Sequence, residues 1–323
     1  MVYTASHRAT YQKEWQYSFP DHTSSRWFIA LREPPELSWS RDVECTAELL
    51  TSEGWKPFER RQDGSPENRA MLIIDHSHND AKLKNGFTIR TSFTATIYHQ
   101  ELRKGKGIKP IVIGDAKTAT FLRETETFDF SDPLVKKWMD QNSMWKTDRE
   151  TELDFVIRVY RHLRRTIPYN TADGGRWICS QILKTGFGEC CRHAVVGTSI
   201  LRANGIPART VCGVWAIDAN SKGGHCWGEF YLKNVGWIPY DTTLDSQNKT
   251  ADQYFGSKKG EILAGMVDFD WEIDAGSLGK HTVFAIDYTP AFWSEGKGDL
   301  TGPSPVMREA IQPATTKGRR TKR

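Results

Sequence analysis

The sequence predicts an α+β protein in which a strand-rich N-terminal part precedes a part built from helices and a β-hairpin. Residues from about 10 to 115 contain short apolar runs separated by polar and proline-bearing turns, which is typical of a β-sandwich. Helices are expected between about 132 and 166, because apolar residues recur at helical spacing from Leu153 to Leu163. A turn with two glycines, a further helix and several strands are expected after them.

A thiol, an imidazole and a carboxylate follow in order along the chain, at Cys190, His225 and Asp241. A nucleophilic cysteine site requires this set of side chains. The turn at 185–188 runs into a helix-like stretch that ends at 204–205, so Cys190 is predicted in the first helical turn. Unpaired amides and the helix dipole stabilise an anion there, and we expect this thiol to ionise more easily than a free one.

His225 and Asp241 are predicted to face each other across a β-hairpin. A strand begins at His225, and turn residues at 233–236 precede another strand at 237–241. If the loop is centred near Lys233, Asp241 lies directly across from His225, and a slip of one residue would separate them. Opposed Cβ atoms are about 5 Å apart, so the carboxylate can bond one imidazole nitrogen and turn the other toward the thiol.

Four blocks between Ile182 and Thr243 resemble the transglutaminase-like superfamily. They are Gly-x-Cys-x-x-His-Ala at 188–194, Leu-Arg-Ala-Asn-Gly-Ile-Pro-Ala-Arg at 201–209, His-x-Trp-x-Glu at 225–229 and Gly-Trp-x-x-x-Asp at 236–241. By that resemblance Cys190 is the nucleophile, His225 the general base and acid, and Asp241 the residue that orients the imidazole. The resemblance also implies a papain-like α+β core, preceded in bacterial members by a β-rich region. Relatives often carry proline where this chain has Thr242.

Composition and this layout together predict the domain organisation. The chain has 323 residues, of which 38% are hydrophobic and 26% charged, and that length suits two domains. We predict a β-rich accessory domain over 1–118, a transglutaminase-like catalytic domain over 119–290 and a C-terminal extension over 291–323. The extension ends in a basic tail at 317–323, which is expected to be disordered and solubilising.

The remaining sequence features bear on partners and location. The net charge of +4 is mild and no aromatic–basic surface pattern is visible, so no specific nucleic-acid partner is expected. The N-terminus lacks an apolar signal region and no run is long enough to span a membrane, which favours the cytoplasm. The six cysteines show no Cys-x-x-Cys spacing. We therefore expect reduced thiols and neither a metal nor another cofactor.

Several neighbouring residues offer alternatives to these assignments. The rival nucleophile is Cys191, the rival local base is His193, the rival acid is Asp245, and Glu229 is either a hairpin contact or a solvated side chain. Side-chain donors that could help the Cys190 amide to stabilise an oxyanion are Tyr169, Trp177 and Gln181, although packing is the expected role of each.

The predicted chemistry is attack of a thiolate on a carbonyl carbon, with a thioester left on Cys190. Water then gives hydrolysis, and an amine gives acyl transfer. We favour hydrolysis of peptide or isopeptide-type amides, in line with many bacterial relatives. Transfer to an amine co-substrate, by crosslinking or small-molecule amidation, is the alternative, and a non-catalytic binding protein of the same fold is a third. The oligomeric state does not follow from the sequence.

Overall fold

The computed structural model of the chain describes residues 1–62, 70–103, 115–172, 174–221, 223–247, 252–268, 270–284 and 289–313. The strands are β1 (Val2–Ser18), β2 (His22–Arg32), β3 (Ser40–Thr51), β4 (Gly54–Pro57), β5 (Glu59–Gln62), β6 (Ala70–Ser77), β7 (Gly86–Glu101), β8 (Ala208–Trp215), β9 (Gly224–Leu232), β10 (Gly236–Tyr240), β11 (Ser257–Lys258), β12 (Ile262–Val267), β13 (Asp270–Asp274), β14 (Lys280–Phe284), β15 (Ala291–Gly298) and β16 (Val306–Pro313). The helices are α1 (Asp115–Thr120), α2 (Pro133–Gln141), α3 (Glu152–Thr166), α4 (Cys179–Thr185), α5 (Cys190–Ala203) and α6 (Thr242–Gln247). Together they confirm the predicted α+β class. The basic tail at 317–323 lies outside the described residues.

The N-terminal part consists of two antiparallel sheets packed against each other. One sheet has the strand order β16-β1-β7-β3-β4, with β11 paired to β7, and the other has the order β15-β2-β6-β5. Buried apolar side chains from both sheets fill the space between them, including Trp15 on β1, Trp27 on β2 and Phe93 on β7. Because one face of each sheet lies against this core, long stretches of β1 and β7 alternate between more and less buried residues. The predicted β-sandwich is confirmed.

The last described strands return to this sandwich. β15 pairs antiparallel with β2, and β16 pairs antiparallel with β1. The segment predicted as an extension over 291–323 therefore contributes strands to both N-terminal sheets. The domain boundaries near 118 and 290 stay predictions.

The second part packs helices against a sheet of strand order β10-β9-β8-β12. Helix α5 lies against β8 and β9 and is buried along nearly its whole length. The helix begins where the Glu189 side chain accepts a hydrogen bond from the Arg192 amide. It ends at Ala203, with Asn204 as its C-cap and Gly205, which has a φ of 73°, after it. The predicted helix is present and reaches back to Cys190, which occupies its first turn.

β9 and β10 form the predicted hairpin, but in a different register. Tyr240 lies opposite Gly228, so the loop is centred on Asn234, one residue later than expected. The prediction that Asp241 lies directly opposite His225 was therefore wrong. Asn234 has a φ of 66°, a left-handed conformation that asparagine tolerates and that allows the chain to turn there. The later loop shifts opposing positions by two residues, and because side chains alternate with a period of two, Asp241 stays on the face of His225.

Tyr240 is the residue that holds this end of the hairpin in the core. Its ring lies between two glycines, Gly228 on β9 and Gly197 on α5. A Cβ built on Gly228 would lie 2.0 Å from the Tyr240 Cζ atom, and one built on Gly197 would lie 2.6 Å from its hydroxyl oxygen. The phenol is therefore in contact with bare backbone on both sides, and this packing fixes the position of Asp241, the next residue.

We expect Gly228→Ala to lower the free energy of unfolding by about 3 kcal/mol, because the added methyl group has no space beside a fully buried ring. Chemical denaturation would measure the change. A double-mutant cycle with Tyr240→Leu supplies the control: once the ring is gone, the same alanine should cost much less. Equal costs in both backgrounds would show that the contact between ring and glycine does not position this strand.

Candidate active site

Cys190 is held at the start of α5 by a carboxylate that caps the helix. Glu189 Oε2 accepts a hydrogen bond from the Arg192 amide at 3.2 Å, and Glu189 Oε1 accepts one from Trp177 Nε1 at 2.7 Å. The Cys190 side chain is partly exposed, whereas Cys179 and Cys191 are buried. The thiol at the helix N-terminus is thus the one of these three that a reagent can reach most readily.

His225 lies on β9 between the thiol and a carboxylate. Its Nε2 atom is 2.6 Å from Asp241 Oδ2, and its other side forms a hydrogen bond with Cys190. The rings of Trp215 and Trp227 stack on the imidazole, with centroid distances of 5.3 Å and 6.2 Å. Because the indoles fix the plane of the ring and Asp241 engages Nε2, Nδ1 is the nitrogen left for the thiol.

Asp241 follows the last residue of β10 and precedes α6, and both of its oxygens accept hydrogen bonds. Oδ1 accepts from the Thr243 amide at 3.2 Å, the Thr243 hydroxyl at 2.9 Å and the Leu244 amide at 3.1 Å. Oδ2 accepts from His225 and from Lys258 Nζ, the latter at 3.2 Å. One carboxylate thus both caps a helix and contacts the imidazole.

These contacts shift the pKa values of the thiol and the imidazole in opposite directions. A hydrogen bond from Cys191 lowers the pKa of Cys190; burial opposes it and His225 adds to it, so that the pKa falls to about 4. Burial alone would lower the pKa of His225, but Asp241 and Cys190 outweigh it and raise the pKa to about 9. Between these two values the thiolate and the imidazolium coexist, which is the ionisation state of an activated cysteine.

Asp241 stays ionised throughout this range. Burial opposes its charge, but His225, Lys258 and the amide of Leu244 favour the carboxylate and hold the pKa of Asp241 well below its usual range. Lys258 itself was missed by sequence reasoning, because it lies on the two-residue strand β11, outside every motif block. Its position results from pairing with Gln100 on β7, a long-range contact that leaves no periodic pattern in the sequence.

The cysteines near the site correct one expectation. Cys212 and Cys226 form a disulfide, where reduced thiols were predicted. The two residues lie directly opposite each other on β8 and β9, with a Cα–Cα distance of 4.2 Å, and their spacing in the sequence gave no indication of this pairing. Among the described residues, the sulfur atoms of Cys190, Cys191 and Cys226 are the group that could hold a metal, all within 4.8 Å of one another. Since Cys226 is disulfide-bonded, this group offers two thiols and not three.

The rival residues fall into structural roles. Cys191 is buried, with its sulfur 2.7 Å from that of Cys226. His193 is buried and its Nδ1 is 3.0 Å from the Thr242 hydroxyl. Glu229 is fully buried and accepts from Arg209 at 2.6 Å and from Trp39 Nε1 at 2.8 Å. The side chain of the remaining rival, at position 245, lies outside the described part of the structure.

Of the oxyanion donors considered from sequence, Tyr169 lies near the thiol: burial raises the pKa of its phenol, and the charge of Cys190 adds to this. The indole N–H of Trp177 is donated to Glu189, Gln181 is exposed on α4, and Tyr169 is 42% exposed. The backbone amide of Cys226 instead forms a hydrogen bond with Cys190. Trp177 therefore has a role in packing or capping and not as an oxyanion donor beside the thiol.

Comparison with known proteins agrees with this architecture. Residues 142–242 match the model of the transglutaminase-like superfamily, and no curated protein matches the chain. A Cytophaga hutchinsonii structure described as a candidate cysteine protease shares 15% identity, with 98% of this chain and 94% of that chain covered and a TM-score of 0.55. The periplasmic domain of TgpA from Pseudomonas aeruginosa shares 14% identity over 77% of this chain and 92% of that chain, with a TM-score of 0.37.

The helix-and-hairpin part of the chain is therefore a papain-like α+β core that follows a β-sandwich. It is through this core that the chain is similar to the transglutaminase-like superfamily. The likeness to the Cytophaga structure extends over nearly the whole of both chains, so the sandwich and the core occur together in another protein. Among the described residues, none of the helices is long and apolar enough to cross a membrane.

Proposed function

We propose that the protein is a cysteine-dependent enzyme that hydrolyses peptide or isopeptide-type amides. In this proposal Cys190 is the nucleophile, His225 is the general acid and base, and Asp241 orients the imidazole. The observation that carries the proposal is the unbroken contact from a partly exposed thiol to His225 and from His225 to Asp241, at 2.6 Å for the second contact. A buried structural cysteine needs neither the imidazole nor the carboxylate.

The reaction follows from the ionisation of the pair. The Cys190 thiolate adds to the carbonyl carbon, the C–N bond breaks, and His225 gives its proton to the departing amine nitrogen. A thioester then joins the acyl group to Cys190. Neutral His225 takes a proton from water as the water oxygen attacks the thioester, which releases the acid and restores the thiolate and the imidazolium. Asp241 stays a carboxylate and stabilises the imidazolium at each stage.

The second substrate decides between hydrolysis and acyl transfer, because both proceed through the same thioester. Peptides or proteins are the substrate class we propose for either reaction. A location in the cytoplasm and the absence of a cofactor remain predictions from the sequence.

An isotope experiment with a peptide library separates these outcomes. In H₂¹⁸O, hydrolysis should place one ¹⁸O atom in each new carboxylate, and addition of a primary amine such as glycinamide should leave these acids as the main product. Mass spectrometry would identify both products, with Cys190→Ala as the blank and Cys45→Ala as the matched thiol control. Amine adducts that dominate at modest glycinamide concentrations would establish acyl transfer instead. If products also form with the blank, cleavage does not involve this cysteine.

A further inference from the structure

A buried lysine lies beside the proposed catalytic residues. Lys258 is 6% exposed, and its Nζ atom donates to Asp241 Oδ2 at 3.2 Å. The same oxygen accepts the hydrogen bond from His225. The ammonium also lies over the ring of Trp227, 3.8 Å from the centroid, and that indole stacks on His225. Lys258 thus contacts two of the groups that hold the imidazole.

The charges of this site balance only when Lys258 is counted. A thiolate at Cys190, an imidazolium at His225 and a carboxylate at Asp241 sum to one negative charge, and two of the three side chains are almost completely buried. A buried charge without a partner of opposite sign costs free energy, and the pKa of the buried group usually shifts until the group is neutral. The Lys258 ammonium brings the total to zero, and so allows the other three groups to remain ionised together.

The other charged groups near the site have partners or are neutral. Glu229 on β9 pairs with Arg209 at 2.6 Å. Burial lowers the pKa of His193 on α5 to about 4, so its imidazole is neutral above that value. Burial also raises the pKa of Tyr169, which keeps the phenol neutral.

At the start of α5, Glu189 pairs with Arg192 at 3.4 Å. Cys191 is a buried thiol that donates a hydrogen bond to Cys190. None of these groups supplies a second positive charge to Asp241, whose Oδ2 atom accepts hydrogen bonds from both His225 and Lys258.

We infer that Lys258 is a positioning residue for the proposed reaction: its ammonium holds Asp241 as a carboxylate toward His225 and sets the pH range over which thiolate and imidazolium coexist. This inference rests on the proposed function. Because β11 pairs with β7 at Gln100 and Glu101, the N-terminal sandwich places this ammonium at the site. The sandwich therefore contributes to the chemistry and is more than an appended domain.

The pH dependence of Cys190 alkylation tests this role without a known substrate. The full-length protein is treated with iodoacetamide over a range of pH, and peptide mass spectrometry follows modification of Cys190. Loss of the ammonium should raise the pKa of the thiol, which loses an attractive charge, and also the pKa of the imidazole, which loses a repulsive one. In Lys258→Met both inflections should move upward, by about one pH unit each. Lys259→Met, which removes the same charge from the exposed neighbouring position, should leave both unchanged.

A second variant separates charge from hydrogen bonding. Lys258→Gln keeps a donor toward Asp241 but removes the charge, and we expect its profile to match that of Lys258→Met. A Gln variant that behaves like the wild type would overturn the role of the charge. Unchanged inflections in Lys258→Met would overturn the inference while the proposed function stands, whereas a wild-type Cys190 without a low inflection would contradict the proposed function itself.

If neither variant folds, the wild-type protein still tests the inference. ¹⁵N NMR of the lysine side chains, with Lys258 assigned by selective labelling, reports its charge at neutral pH. A charged ammonium that shows a coupling to the Asp241 carboxylate is the expected result. A neutral amine at this position would overturn the inference, because it could not balance the charges of the site.

Discussion

Replacement of Cys190 by alanine is expected to lower amide-bond cleavage by at least about 10⁴-fold, to the level that binding and backbone hydrogen bonds alone provide. In the proposed reaction the thiolate sulfur of Cys190 forms the covalent bond, and no other described thiol can replace it. Cys191 is buried against Cys226, and burial raises the pKa of Cys179 and of Cys45 to about 12. Rates of peptide cleavage, measured with a substrate from the library experiment, would check this.

The same substitution should leave the fold intact. Cys190 is partly exposed, and alanine is the residue with the highest helix propensity, so the free energy of unfolding should change by less than about 1 kcal/mol. Cys45→Ala, which removes a half-buried thiol on β3 of the N-terminal sandwich, should retain full activity. If Cys190→Ala retained more than a tenth of the activity, the nucleophile would have to be a different group.

Asp241→Asn is expected to lower activity by about 10⁴-fold through the orientation and charge of His225. The groups that surround Asp241 all donate hydrogen bonds, from His225, Thr243, Leu244 and Lys258. An amide NH₂ placed among them would leave one donor facing another. Without the carboxylate, burial should lower the pKa of His225 below its ordinary value, and the low inflection of Cys190 alkylation near pH 4 should move upward.

Stability should also respond to pH with a defined sign. Because the pKa of Asp241 is lower in the folded protein than in the unfolded chain, its ionised form stabilises the fold above the ordinary carboxyl pKa, and this contribution is lost as the pH falls below that value. Chemical denaturation should therefore show that the free energy of unfolding falls less steeply with decreasing pH for Asp241→Asn than for the wild type. For the loss of activity, Asp245→Asn is the control. If it lowered activity as much as Asp241→Asn, the assignment of Asp241 as the residue that orients His225 would be contradicted.

Local sequence patterns predict much of the candidate site, because helix starts and hairpin turns depend on residues that are close together in the chain. The glycine turn before α5 and the absence of a helix breaker inside it place Cys190 in the first turn. The hairpin places His225 and Asp241 on one face even though its loop lies one residue later than expected, since a displacement of two in the pairing preserves the face. The turn residues of a hairpin show that a loop is present, but they do not show which residue lies at its centre. In this hairpin the central residue is Asn234, which adopts a positive φ.

Other features depend on contacts between distant parts of the chain. The disulfide between Cys212 and Cys226 requires β8 and β9 to pair in one register, and the position of Lys258 requires β11 to reach β7. The strand pairing of β16 with β1 joins the two ends of the described chain. None of these contacts produces a local periodicity, so the sequence alone indicates the candidate catalytic residues more completely than the groups that contact them.

The pH dependence of Cys190 alkylation in the wild-type protein tests the central claim most directly. Iodoacetamide reacts with thiolates, so modification of Cys190 should reach half of its plateau rate near pH 4 and change again near pH 9, where His225 loses its proton. Cys45 should react much more slowly at neutral pH, because its pKa is raised to about 12. A single inflection for Cys190 near pH 8.5, the value of an ordinary free thiol, would contradict a thiolate–imidazolium pair at this site.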